Sequence, residues 1–355
     1  MKKGPLNILY LGDSAQGTTS LQRCMALRSL GHRVTMADSA PRSIGLLHRV
    51  DDWLYRKGFS GMGHRSPATN RQIRQELGRR VFDLLWIDKG IYITPETIAA
   101  AKAANPGLLV LGYSPDYMAA RHNNSRWFIA HSASYDLFVT TKSYAVEWHK
   151  AIGTKDVLFV GNAYDPATHR PMRIAAATRK ALGGPVGFIG FYEAPRAEAV
   201  AYLGAHGVPT KVYSPGWDTS SPAPGVTVVA RPLFGDDYAK AINAFDINLC
   251  FLRAMNLDVQ TQRSVEIPAC GAFMLAERTA EHQGLFKEGI EADFFSSKEE
   301  LLSKCRFYLA NPAVRKRVAL AGYRRCLRSG YSNQARMEKM IEHLLGSVRG
   351  RGKGR

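Results

Sequence analysis

The feature that most narrows the fold is an alternation, kept up along the chain, of short β-like runs with helix-like stretches. NILYLG leads into TSLQRCMALRSLG. VTMAD, an arginine-rich helical stretch near Gln72 to Arg80, DLLWID, PETIAAAKAA, LLVLGYS, YDLFVTT, SYAVEWHKAI and VLFVG follow. Alternation of this kind specifies a doubly wound parallel sheet. NAYDPATHRP, with two prolines and turn-forming Asn and Asp, interrupts the pattern, which then starts afresh with VGFIG, AEAVAYLGAHG, TKVYS, VTVVA, DDYAKAINAF and INLCFL. The expectation is an α/β chain with two Rossmann-like domains and a linker at 163–173. A length of 355 residues agrees with two domains, at roughly 100 to 200 residues each. Two such sheets facing each other across a cleft would gather both sets of strand ends around one ligand.

Candidate functional residues follow from that placement. INLCFL reads as a buried strand, so Arg253 to Arg263 forms the loop at its carboxyl end, where open α/β sheets bind ligands. Glu266 then falls in the first turn of a short helix, where a carboxylate can accept two ribose hydroxyls while free backbone N–H groups favour phosphate. Arg263 and Arg196 are candidates for a diphosphate, since a guanidinium fork matches phosphate geometry; a surface charge, or for Arg196 an ion pair with Glu193 or Glu198, is the plainer reading. Arg196 follows a strand that ends at Gly190. Trp217 at another strand end could stack on a base or simply wedge its loop.

In the first half, the loop Gly12-Asp13-Ser14-Ala15-Gln16-Gly17 joins a strand to a helix and could approach a diphosphate or an acceptor closely. It lacks both the dinucleotide glycine spacing and a P-loop ending, and a capped strand-to-helix turn accounts for it equally. Acid or base chemistry is expected at Asp116, Asp88 or His122, with Asp116 best placed. Asp116 could take a proton from an acceptor hydroxyl in an inverting reaction or bind hydroxyls in a retaining one; an ordinary turn after Pro115 is the alternative. His169 reads as fixing the linker, and Glu291 as a surface residue. No His, Asp or Glu cluster has metal-ligand spacing, so neither metal nor cofactor is expected.

RSVEIPACGAFMLAE followed by LFKEGIEADFFSSKEELLSKCRFYLANPAVRKRVALAGYRRCLRSGYS is similar to the carboxyl half of CgeB-like glycosyltransferases. LYLGDSAQGTTSLQRCMALRSLGHRV, GYSPDYMAARHNNSRWF, YDLFVTTKSYAVEW and NAYDPATHRP resemble the amino half of the same group. The resemblance implies a GT-B fold, with an acceptor-side domain at 1–165 and a nucleotide-sugar-binding domain at 166–330. A helix at 331–348 would cross back to the first domain, and a flexible basic tail would occupy 349–355. Related enzymes line the donor site with two acidic residues separated by seven others. Glu266 resembles the second, and the first falls on Asp258, one methylene shorter than glutamate.

A formal charge of +18 reads either as a solvated surface or as attraction to anionic partners, whether lipid headgroups, a lipid-linked acceptor or nucleic acid. No apolar run approaches the roughly 20 residues of a membrane span, and five scattered cysteines read as buried thiols, so a cytoplasmic protein, peripheral at most to the inner membrane face, is expected. The implied function is transfer of a sugar from a nucleoside-diphosphate donor to a glycan, lipid-linked or other hydroxyl. Alternatives are a DNA-modifying glycosyltransferase acting on a modified base, a nucleotide-sugar epimerase, and a catalytically inactive spore or surface-assembly protein.

Overall fold

The computed structural model describes residues 4–39, 46–57 and 68–352. It divides into two compact units, residues 1–161 with 333–355 and residues 162–332. In unit 1 the chain runs β1 (Asn7–Gly12), α1 (Thr19–Ser29), β2 (Arg33–Asp38), α2 (Leu46–Arg56), α3 (Ala68–Arg79), β3 (Leu84–Asp88), α4 (Pro95–Ala104), β4 (Leu109–Ser114), α5 (Arg126–His131), β5 (Leu137–Thr140), α6 (Val146–Ala151) and β6 (Val157–Phe159). Unit 2 holds α7 (Ala176–Leu182), β7 (Gly184–Ile189), α8 (Ala194–Ala205), β8 (Thr210–Tyr213), β9 (Val226–Val229), α9 (Gly235–Ala244), β10 (Phe245–Cys250), α10 (Arg263–Ala269), β11 (Met274–Glu277), α11 (Ala280–Leu285), β12 (Asp293–Phe295), α12 (Lys298–Ala310) and α13 (Pro312–Arg328). The last helix, α14 (Asn333–Gly352), returns to unit 1.

All described pairings are parallel, in the orders β2-β1-β3-β4-β5-β6 and β12-β11-β10-β7-β8-β9. Both strand faces are covered, which is why these strands are almost unbroken apolar runs. Leu9, Leu11, Leu85 and Ile87 enter one core, while the alternate residues Ile8, Tyr10, Leu84 and Trp86 enter another, together with Cys24 and Leu27 of α1 and Met337, Met340, Ile341 and Leu344 of α14. In unit 2, β10 sends Ile247 and Leu249 to one face and Cys250 to the other. Gly187 of β7 has no room for a side chain, because a Cβ there would lie 2.3 Å from the Phe245 ring.

Three sequence expectations change. The 163–173 stretch is part of unit 2 rather than a free linker: Met172 N–H donates to Asn243 Oδ1, Asn243 Nδ2 donates to Arg170 O, and Arg170 pairs with Asp236. The unit boundary falls between Gly161 and Asn162. The basic end is not a separate tail from 349, because α14 continues to Gly352, each added residue gaining a backbone bond once the helix exists; Lys353 and Arg355 lie outside the described residues. All five cysteines are buried thiols, and no helix among the described residues is long and apolar enough to cross a membrane.

Candidate functional site

Strand order reverses between β7 and β10 in unit 2 and between β1 and β3 in unit 1, and such switch points are where open α/β sheets form ligand crevices. In unit 2 the loops after β7 and β10 are fastened together. Glu193 accepts the Ala254 N–H at 3.0 Å and pairs with Arg253 at 3.4 Å. Arg196, 3% exposed, gives Nε and Nη2 to Leu252 O at 3.0 and 2.6 Å and Nη1 to Phe191 O at 3.0 Å. Burial, then the neighbouring Arg263, push its pKa down. Three of its five N–H donors go to carbonyls and it also pairs with Glu193 at 3.8 Å, the plainer of the two readings offered for it, so it shapes the crevice rather than presenting a free fork to a diphosphate. Arg263 differs. Its guanidinium lies 5.7 Å from the Phe188 ring centroid, and its buried Nε has no hydrogen-bond partner.

Gly190 closes β7 with its N–H on Tyr213 O, and a Cβ there would lie 2.6 Å from the Phe188 ring. Trp217, 8% exposed, sits in the core with its indole N–H on Gly190 O at 2.9 Å and its ring edge-on to Phe188 and Tyr192. Burial leaves it as the wedge of its loop, not a surface for a base.

Glu266 is 7% exposed in the first turn of α10. Its Oε2 accepts the Tyr238 hydroxyl at 2.6 Å, and its Oε1 lies 3.7 Å from His169 Nε2. His169 Nδ1 accepts the Asp165 N–H at 3.0 Å, which leaves the ring proton on Nε2, toward the carboxylate. Burial first, and Glu266 second, hold the Tyr238 hydroxyl protonated far above its ordinary range. The carboxylate thus keeps acceptor capacity while its position is fixed. The helix start does not offer the free N–H groups expected of it, since Ser264, Val265 and Glu266 already donate to Thr261 and Gln262. A relay holds that turn: Thr261 N–H to Ser264 Oγ at 2.9 Å, Ser264 Oγ to His282 Nε2 at 2.7 Å, and His282 Nδ1 to Glu277 O at 2.6 Å. Asp258, in the loop before α10, accepts from Asn256 Nδ2 at 2.8 Å.

The unit 1 switch point opens into a cavity of about 400 Å³, lined among others by Asp13, Thr18, Arg23, Asp88, Lys89 and Asp116. Gly12 is required there, because a Cβ would meet Ser20 Oγ at 2.1 Å and the Tyr10 ring at 2.7 Å. Asp88 accepts from Arg23 at 2.6 Å, Tyr10 at 2.9 Å and Trp86 at 3.0 Å. With a buried arginine and two further donors upon it, Asp88 is a structural anion and not the base that sequence admitted. Lys89 adopts the left-handed region at φ 61° and forms an ion pair with Asp116. Its N–H bonds Tyr113 O at 2.7 Å, so the strained loop is anchored on β4. Asp116 and Asp13 remain in the cavity wall, whereas Ser14, Gly17 and His122 do not line it. His122 is exposed, with its carbonyl held by Arg56 at 2.6 Å.

Sequence reasoning missed Tyr238 and Arg23, which contact the carboxylates from distant elements; His169 does fix its turn, as expected, and in addition faces Glu266. Glu291 is not a surface residue: it is 5% exposed and ion-paired with Arg328 and Arg325. Among the described residues no group of three or more His, Cys, Asp or Glu could hold a metal ion.

Residues 196–342 match a sequence family described as glycosyl transferase-like. No curated protein sequence matches the chain. Among solved structures, a glycosyltransferase from Rickettsia africae is 10% identical over 98% of this chain and 99% of that one, with a TM-score of 0.63. The Anabaena protein Alr3699/HepE, solved with UDP-glucose, is 11% identical over 96% of this chain and 100% of its own, also at 0.63. An alpha-glucosyltransferase in complex with UDP and a 13-mer DNA is 12% identical over 97% and 100%, at 0.61. With its two six-stranded parallel sheets flanked by helices, the chain has the α/β fold of the GT-B glycosyltransferases.

Proposed function

We propose that the chain is a glycosyltransferase that moves a sugar from a nucleoside-diphosphate donor to a hydroxyl of a glycan or lipid-linked acceptor. The observation that carries this reading is Glu266, a buried carboxylate with spare acceptor sites fixed by Tyr238 and His169, on the same helix as Arg263 with its unpartnered Nε, inside the segment that matches the glycosyl transferase-like family. Glu266 accepts the ribose hydroxyls. Arg263 offers a fixed charge to the diphosphate, which leaves as the bond from the sugar's anomeric carbon to phosphate oxygen breaks and the bond to the acceptor oxygen forms. Asp258 borders the sugar side. In unit 1, Asp116 and Asp13 take the acceptor hydroxyl. Asp116 receives its proton if configuration inverts, and orients the hydroxyl if configuration is retained. The UDP-glucose bound by the Anabaena protein makes a UDP-sugar the first donor to try.

Calorimetric titration with UDP, GDP, ADP, CMP and dTDP tests the reading. One diphosphate should bind, and Glu266→Ala should weaken it by roughly 10- to 100-fold, the loss of a charge-assisted hydrogen-bond pair. Unchanged affinity in that variant sinks the assignment, and binding of none of them favours an inactive assembly protein. A second reading, glucosylation of DNA, draws on the net charge of +18 and on the DNA-bound structural relative. It requires duplex binding that weakens steeply with salt; a flat response counts against it.

A further inference from the structure

On α13 the outward face joins two properties that the transferase reading does not use. Its 17 residues, PAVRKRVALAGYRRCLR, contain six cations and no acid. Lys316, Arg317, Arg324 and Arg328 are exposed on the same face as Leu320 and Leu327, which are 47% and 56% exposed. The offsets of 1, 4, 8, 11 and 12 from Lys316 keep these side chains within an arc of about 120° of the helix, the two leucines about 10 Å apart along the axis. The opposite arc, with Arg315, Val318, Ala319, Gly322 and Cys326, is buried in unit 2. Among the described residues the carboxylates ion-paired with α13 are Glu291, with Arg328 and Arg325, and Asp246, with Arg315 and also Arg179. The face is left with a net positive charge.

We propose that the exposed face of α13 docks on an anionic lipid bilayer. Cations with no acid among them select a negative surface, and long Lys and Arg stems let the charged heads rest at phosphate level while Leu320 and Leu327 enter the acyl boundary. A nucleic-acid backbone would use the cations but gain nothing from the leucines between them. A single convex helix likewise offers a protein partner no pocket to fill, whereas a bilayer receives apolar side chains of any outline. The assignment does not depend on the transferase reading, and its test needs no activity.

The test is vesicle flotation of the full chain, with phosphatidylcholine vesicles compared with vesicles made half of phosphatidylglycerol. The protein should float with the anionic vesicles alone. Leu320→Ser with Leu327→Ser should weaken this by about tenfold or more, the scale expected for removing two partly buried leucines from the acyl boundary. Arg317→Ser with Arg324→Ser should do likewise, and an unchanged melting transition in both pairs shows that the fold is intact. Failure to float, flotation undiminished by either pair, or preferential capture of duplex DNA with equal strength by the leucine pair would overturn the proposal.

Discussion

At the reversal of strand order in unit 1 the charges come in pairs, Arg23 with Asp88 and Lys89 with Asp116, and a cavity of about 400 Å³ stays open beside them. At the same topological place in unit 2 an arginine fastens the loops together, Arg196 binding the carbonyls of Leu252 and Phe191. A second arginine, Arg263, is left with a buried donor unfilled. One sheet layout thus yields one site whose charges are matched and another with a donor to spare. The lesson is that position at a strand end nominates a residue, and the hydrogen bonds it already makes decide whether a ligand can have it.

The most severe way to break this comparison is to remove one half of the matched pair. Arg23→Ala leaves Asp88 buried with only the Tyr10 and Trp86 donors, and should lower stability by about 3–5 kcal/mol in urea unfolding. A loss below about 1 kcal/mol would mean that the carboxylate reaches water and that pairing is not what unit 1 depends on.

Acid should separate the two units next. Burial lowers His131 and His149 in unit 1 to about 4, and lowers His282 in unit 2. Each is neutral when folded and takes up a proton on unfolding below about pH 6.5, so stability is full above that value and declines as pH falls toward 4. The slope approaches about 1.4 kcal/mol per pH unit for each histidine, or roughly 2–3 for the unit 1 pair. Hydrogen exchange at pH 7 and pH 5 should therefore lose protection in unit 1 before unit 2. The reverse order would contradict the assignment.

A finer cut contrasts the two arginines of unit 2. Arg263→Gln should weaken nucleotide binding by about 2 kcal/mol, some thirtyfold, with little change in melting temperature, because its Nε bonds nothing in the protein. Arg196→Gln should instead depress the melting temperature, because Leu252 O and Phe191 O lose their donors. Equal effects on binding would restore Arg196 as a ligand.

These arginines also mark how far the sequence could be read. Period and turn chemistry place β1 to β10 near their observed positions, because NILYLG, DLLWID and INLCFL have no other way to bury both faces, but do not single out the short β11 and β12. They also place Glu266 in the first turn of α10. What they do not carry is who meets whom across the fold. Tyr238 reaches Glu266 from 28 residues away and Arg23 reaches Asp88 from 65, and neither separation leaves a local trace. His169 looked like a linker residue because the prolines around it mark a turn; that turn delivers its ring to Glu266. α2 and α7 are among the helices not anticipated, the first, of 11 residues, following a turn-rich stretch, the second a seven-residue segment with no buried residue.

The smallest effect probes the unit 1 interior alone. His149 is fully buried, has no partner on either ring nitrogen, and lies with its ring centroid 4.1 Å from that of Phe138. Phe128 and Trp148 meet it edge-on, so the surroundings are those of an aromatic hydrocarbon. His149→Phe removes two desolvated polar atoms and adds little volume; stability at pH 7 should rise by up to about 1 kcal/mol. The same substitution should roughly halve the acid sensitivity of unit 1, because only His131, whose Nε2 bonds Gly90 O at 3.1 Å, then remains of the pair. Unfolding midpoints at pH 7 and pH 5 read both numbers from one variant. A gain at neutral pH with an unchanged acid slope would assign the sensitivity elsewhere, and a loss at neutral pH would mean that the ring nitrogens hold a water that phenylalanine cannot.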